Sequence, residues 1–308
     1  MMQAAFHEPV LLHEALQYLL TDPAGTYVDA TAGGGGHAAA VASQLTAGGR
    51  LVCFDADDDA LHAARVKLKG SGAELLHANF RDLRQELASL DIHSVCGVLF
   101  DLGVSSRQLD DAARGFSFRA DEPLDMRMDR RQTLSGRDVV NNYNEEQLAA
   151  ILYRYGEERR SRRIARSIVR ARPVESTGAL RDAVAAAAGG SFLVKTLARV
   201  FQAVRIEVNG ELTSLDRALQ DAVDLLQAGG RVVVISYHSL EDRIVKDLFR
   251  RESHAVALGP SPAATMSTPR LRTLTRKPVT PGQAEQQSNP RSRSAKLRAA
   301  ERLAINNP

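Results

Sequence analysis

The sequence predicts an α/β fold in which a parallel sheet is interrupted by an all-helical insertion. Three observations predict it. Apolar strands alternate with helical segments before residue 105 and again after 210. These strands show no in–out alternation, as expected of a sheet covered on both faces. Between 105 and 210 helical spacing recurs without a convincing strand. The 308 residues therefore divide as 1–108 with 201–308 for the α/β core, and 109–200 for the insertion.

Each element follows in order. Thr26–Ala30 reads as a first strand, with a glycine run and then the Ala-rich helix Ala38–Leu45 after it. Arg50–Asp55 is a second strand, Asp58–Lys69 a helix, Glu74–His77 a short third strand and Val95–Leu102 a fourth. Glu145–Arg154, Glu157–Arg172, Ala179–Ala188 and Lys195–Val208 are the insertion's helices, the second closed by Pro173. Glu211–Gln227 is an amphipathic helix followed by Gly229–Gly230, and Arg231–Ser236 is a buried strand. Ser239 with Asp242 reads as a capping box opening the helix Leu240–Arg251. Residues 254–268 read as a loop. Leu271–Arg276 and Ala295–Arg302 fit closing strands, although the second also fits a helix.

Composition narrows the function classes. With 44% hydrophobic and 25% charged residues, the chain is not disordered or coiled-coil throughout. No apolar run is long enough for a membrane span. Met1 to Glu8 carry no secretory signal features. Cys53 and Cys96 lack zinc spacing and read as buried thiols of a reducing cytoplasm, and no metal site is expected. The net charge of +3 is unevenly spread: residues 1–110 carry −7, 151–172 carry +6 and 268–308 carry +7. Two basic segments beside an acidic front suggest a polyanion partner, though solvated helix faces explain the counts equally well.

The strongest local feature is the loop Asp29-Ala-Thr-Ala-Gly33-Gly34-Gly35-Gly36-His37. Glycines permit close backbone approach to a ligand. Asp55 ends the next strand, where a nucleotide-type fold uses a carboxylate to bind ribose hydroxyls. Phe80 follows the third strand, where its ring suits the flank of an adenine. The full G-x-G-x-x-G spacing of a dinucleotide site is met only weakly, with Ala38 or Ala39 at its third position. Asp29 favours a cationic ligand instead, and S-adenosylmethionine carries both an α-amino group and a sulfonium.

Longer stretches carry a resemblance. They include Asp29 to His37, Phe100-Asp-Leu-Gly-Val-Ser-Ser-Arg-Gln-Leu-Asp110 and Pro123-Leu-Asp-Met-Arg-Met-Asp129. Phe201-Gln-Ala-Val-Arg-Ile-Glu-Val-Asn209 and Ser236-Tyr-His-Ser-Leu-Glu-Asp-Arg-Ile-Val-Lys246 continue the match. In this order they resemble the bacterial 16S ribosomal RNA (cytosine-1402-N4)-methyltransferase family. The resemblance implies a Rossmann-like class I methyltransferase sheet, S-adenosylmethionine as cofactor and 16S ribosomal RNA or the small subunit as partner. It puts cofactor contacts on Gly35, Gly36, His37, Asp55, Phe80, Asp101 and Gln108. Gly34 stands where the family often has a basic residue, and Arg107 where it often has Pro.

Asp101 ends the fourth strand, at the edge where α/β sheets place their sites. It is expected to act as cofactor ligand or as acceptor for the cytosine N4–H, roles the sequence does not separate. Tyr237 suits stacking on a flipped base, and His238 reads more simply as structural. His7 and His13 read as helix-boundary residues. Asp125, Arg127 and Asp129 suggest a charged network fastening the insertion to the core. The eight arginines of 151–172 suit phosphate contacts, as do Arg291, Arg293, Lys296 and Arg298 of the basic 268–308 segment. Two other classes compete: an NAD-dependent oxidoreductase, and a non-catalytic RNA-binding assembly factor. The first lacks an obvious hydride-transfer acid. The intact Gly loop, Asp55 and Asp101 speak against the second.

Overall fold

The computed structural model describes residues 9–104, 108, 114–189, 192–255 and 268–304. His7, Arg107 and most of the predicted 254–268 loop lie outside them. The chain forms two compact units: residues 1–103 with 212–308, and residues 104–211.

The first unit is built on a seven-stranded sheet. Its strands are β1 (Thr26–Asp29), β2 (Arg50–Asp55), β3 (Glu74–His77), β4 (Val95–Asp101), β5 (Leu226–Ser236), β6 (Leu271–Thr273) and β7 (Lys296–Arg302). The order across the sheet is β3-β2-β1-β4-β5-β7-β6. The strands β1 to β5 pair in parallel, whereas β7 runs antiparallel to both β5 and β6.

Successive strand residues feed opposite faces. Val52, Phe54, Val98, Phe100, Val232 and Val234 join one apolar layer, which α4 (Leu83–Ser89), α10 (Glu211–Leu225) and α11 (Ser239–Glu252) help to cover. Leu51, Cys53, Leu99, Val233 and Ile235 join the other, with α1 (Leu12–Leu19), α2 (Gly36–Ala42) and α3 (Asp58–Lys67). Burial on both sides is why these strands read as unbroken apolar runs.

The second unit holds α5 (Gly136–Asn142), α6 (Glu145–Arg154), α7 (Ser161–Arg170), α8 (Thr177–Ala188) and α9 (Leu193–Asn209). It has its own core, including Val140, Leu152, Ile164, Ile168, Val184, Val200 and Val204. Its span is wider than the 109–200 drawn from sequence, because the whole length of α9 packs into this core. Inside it Arg127 grips Asp125, with Nε 2.6 Å from Oδ1, and Arg131 grips Asp129 at 2.8 Å.

Several local readings are corrected. The predicted helix Glu157–Arg172 starts only at Ser161. The buried Glu158 carboxylate accepts the Arg160 N–H at 3.0 Å and pairs with Arg199, which fixes a turn before the helix. The helix before β5 ends at Leu225. Leu226 already pairs with Val95, and Gly229–Gly230 sit within a register shift of the strand. The N-cap of α11 is His238, not Ser239, and the box is closed by Glu241. Asp242 is thereby free to hold Arg298 (2.6 Å) and Lys296 (3.3 Å) across to β7.

Candidate active site

Gly35 caps α2 with φ +76°, and a Cβ there would lie 3.2 Å from the Ala64 Cα. A Cβ on Gly36 would meet Pro9 Cγ at 2.5 Å. A Cβ does not fit at Gly36, and at Gly35 the positive φ with a tight approach to backbone disfavours any other residue. Gly34 is different: it is exposed, and nothing lies within 4 Å of its Cβ position. A side chain at this position would meet open space.

Three carboxylates end three adjacent strands. Asp29 is 1% exposed. Its Oδ1 accepts the Thr31 N–H at 3.1 Å, while the buried Oδ2 has no hydrogen-bond partner. Burial pushes its pKa up to about 6, against an opposing pull from His37. Asp55 accepts the Gly33 N–H (2.7 Å) and the Asp57 N–H (2.8 Å), which ties the glycine loop to the end of β2. Burial raises its pKa to about 6 as well. A carboxylate has about four acceptor positions, so these two bonds leave capacity for ribose hydroxyls.

Asp101 closes β4. Its N–H donates to Thr31 Oγ1 at 2.6 Å, its Oδ1 accepts the Tyr237 hydroxyl at 2.8 Å, and its Oδ2 lies 3.5 Å from His37 Nδ1. Burial raises its pKa to about 7, the Tyr237 hydrogen bond pulling the other way. His37 is 5% exposed and donates from Nε2 to the Val10 carbonyl at 3.0 Å. Burial pushes its pKa down, against an opposing pull from the Asp29 charge.

The structure thus brings Gly35, Gly36, His37, Asp55 and Asp101 to one edge of the sheet. Phe80 opens a 3-10 turn just beyond β3, half-buried and edge-on to Phe100 (centroids 5.9 Å apart). Gln108 is buried in the second unit. Thr31 carries no signal of its own in the sequence beyond its place inside the glycine loop. Tyr237, expected to stack on a base, uses its hydroxyl to hold Asp101, and its ring lies beside Gly103, 3.3 Å from the Cβ position there. His238 is structural, capping α11.

The basic segments also resolve residue by residue. In 151–172, Arg154, Arg159, Arg162, Arg163, Arg166 and Arg170 are exposed. Arg160 is instead bonded to Glu158, the Ala188 carbonyl and Thr196, and Arg172 to the Val140 and Tyr143 carbonyls. In the C-terminal segment, Arg298 and Lys296 are held by Asp242, and Arg270 by Glu252 and Asp224. Arg298 is 8% exposed. Arg298 and Arg270 therefore hold the core together, and the expectation that Arg298 contacts phosphate is corrected, whereas Lys296 keeps a half-exposed ammonium.

The seven-strand order with an antiparallel β7, and a glycine cradle ringed by strand-end carboxylates, define a class I S-adenosylmethionine-dependent methyltransferase. The donor set fits that cofactor. A buried carboxylate oxygen without a partner suits a cationic amino-acid end, and would repel a pyrophosphate. The chain belongs to the MraW methylase family, whose profile matches residues 4–303. It is 46% identical over 310 residues to ribosomal RNA small subunit methyltransferase H of Brevibacillus brevis, covering 96% of this chain and 98% of that one. It is 48% identical over 309 residues to the protein of the same name from Syntrophus aciditrophicus, covering 97% and 98%. Among solved structures, a putative rRNA methylase from Clostridium thermocellum aligns over 94% of this chain and 95% of its own, with TM-score 0.45 and 15% identity. Among the described residues, no helix is long and apolar enough to cross a membrane.

Proposed function

We propose that the protein methylates the exocyclic N4 of a cytosine in 16S ribosomal RNA, position 1402 by family resemblance, in the cytoplasm. Bound S-adenosylmethionine supplies a methyl group activated by its sulfonium. Asp29 offers a buried negative charge to the cationic end of that cofactor, Gly35 and Gly36 let it approach the backbone, Asp55 receives ribose hydroxyls and Phe80 flanks the adenine. His37 completes the pocket on this unit.

The observation that carries the reading is Asp101, which accepts the Tyr237 hydroxyl at the carboxyl edge of β4 with His37 3.5 Å away. The cytosine N4 lone pair is delocalised into the ring. An acceptor for its N–H lets the nitrogen pyramidalise towards the methyl group. Nitrogen gains a methyl and loses a proton, and an ionised Asp101 is placed to receive that proton. Its pKa near 7 matches the task, because a proton acceptor works best when its pKa lies near the working pH. Fixing both reactants in line is the larger contribution.

The exposed arginines of 151–172, with exposed cations of 268–308 such as Lys277 and Arg293, hold RNA phosphates. The test is transfer of labelled methyl to 16S RNA and to small-subunit particles, followed by mapping of the modified base. The label is expected on a cytosine N4, and to vanish with Asp101→Asn. Failure of the intact protein to label either substrate would remove the reading.

A further inference from the structure

A groove of about 660 Å³ runs between α11 and the β6 end of the sheet, in the first unit. Phe249 and Leu271, both buried, form its floor. Lys246 and Arg250 stand four residues apart on α11, so one helix face carries both cations. Arg272 and Arg276 stand on the strand side. No Asp or Glu is among the lining residues.

Three acids near this groove are already committed, and a fourth, the exposed Asp247 on α11, meets Arg250 at 3.9 Å. Asp242 is held by Arg298 and Lys296, Glu301 by Arg231 and Arg272, and Glu252 by Arg251 and Arg270. Among the described residues Lys246 and Arg276 have no carboxylate partner, and both are exposed. Arg250 has only a long contact with Asp247, at 3.9 Å. The groove therefore carries an excess of positive charge, from Lys246, Arg250 and Arg276, over an apolar floor.

We propose that this α11–β6 groove is an RNA-docking site that grips the phosphodiester backbone of the substrate. It rests on the ribosomal RNA reading above, and it lies outside the cofactor loop. Guanidinium forks and an ammonium spaced along a cleft match successive phosphate oxygens. Neutralised phosphates release counterions, which gives the site a measurable salt signature.

The test compares the full-length protein with a K246Q/R276Q variant. Binding of a fluorescent 16S RNA fragment is titrated across a potassium chloride series, and S-adenosylmethionine binding is measured by calorimetry. A K69Q/R65Q variant, which loses the same charge from exposed sites on α3 and just after it, is the control. With two fewer phosphates neutralised, the slope of log K against log salt should flatten by about 1.4, and affinity at ~0.1 M salt should fall roughly tenfold. Cofactor binding should stay at the wild-type value. An unchanged slope in K246Q/R276Q overturns the proposal, leaving the groove to some other anion. An equal loss in the control also overturns it, since the effect would be one of net charge. Failure of the wild-type protein to bind RNA would remove the ribosomal RNA reading and the groove with it, and it would appear in the wild-type arm alone.

Discussion

At the scale of single residues, Asp101 is set by its neighbours. Tyr237 donates to it, His37 faces it and the Glu241 charge raises its pKa. It accepts a proton only when ionised, so turnover should rise as pH increases through about 7. Tyr237→Phe removes the bond that holds this pKa down. The inflexion of the pH–rate profile should then move to higher pH, with cofactor affinity unchanged. A merely structural tyrosine would lower the rate without moving the inflexion. Asp101→Asn should cut kcat by about 10²- to 10⁴-fold, the range of a lost general base. Asp29 gives a stability prediction. Its pKa rises from 3.8 to about 6 on folding, so the folded state binds its proton more tightly. Stability is therefore lost as pH rises from about 4 through 6. Asp29→Asn escapes this loss and should be more stable than wild type at pH 8 by roughly 3 kcal/mol, two pKa units' worth. Urea denaturation of the cofactor-free protein at pH 4 and pH 8 measures the gap. A gap equal at both pH values would show that Asp29 is not strained in this way. The same substitution should weaken S-adenosylmethionine binding.

At the scale of elements, the glycine cradle makes a paired prediction. Gly36→Ala drives a Cβ to 2.5 Å from Pro9 Cγ. It should cost about 1–3 kcal/mol, the usual range for overpacking, and raise the cofactor Kd. Gly34→Ala meets open space and should change neither. Thermal melts and calorimetry on the two variants decide it. The strands β1, β2 and β4 were legible in the sequence because burial on both faces leaves an apolar run with sharp polar ends, as in Arg50–Asp55. What the sequence hid was chemistry set by tertiary partners. Arg298 looks like an outward cation in an alternating strand, yet Asp242 makes its burial tolerable. The α11 cap was misplaced by one residue because Ser is a common cap and His is not. Here a Glu241 carboxylate receives both the Tyr237 and His238 N–H groups. The short helix α4 carries only Leu83 and Leu87 as buried anchors, too few to show a period.

At the scale of the whole molecule, the modest net charge conceals a division of labour. An acidic front supplies the carboxylates of the cofactor site, and α7 with its flanks presents the exposed arginines. RNA affinity should therefore fall steeply with salt. If about five phosphates are neutralised, log K against log salt should have a slope of roughly −3 to −4. A flat response in a filter-binding or anisotropy series would contradict the assignment. That Asp55 and Asp101 end strands at one edge of the sheet was readable, because apolar runs closed by a single Asp mark such strand ends. The link from Tyr237 to Asp101 was not, because 136 residues of chain separate the two.

That separation bears on how the chain is made. The strand β4 lies between β1 and β5, yet residues 104–211 must leave the ribosome before β5 exists. The helical unit has its own core, so a segment begun later is able to finish first. The half-sheet made earlier waits with an open edge. Closing that edge is the event that delivers Tyr237 to Asp101, and β7, beside β5, comes from the last residues of the chain. Synthesis halted anywhere before residue 237 leaves a chain in which Asp101 lacks this hydroxyl bond.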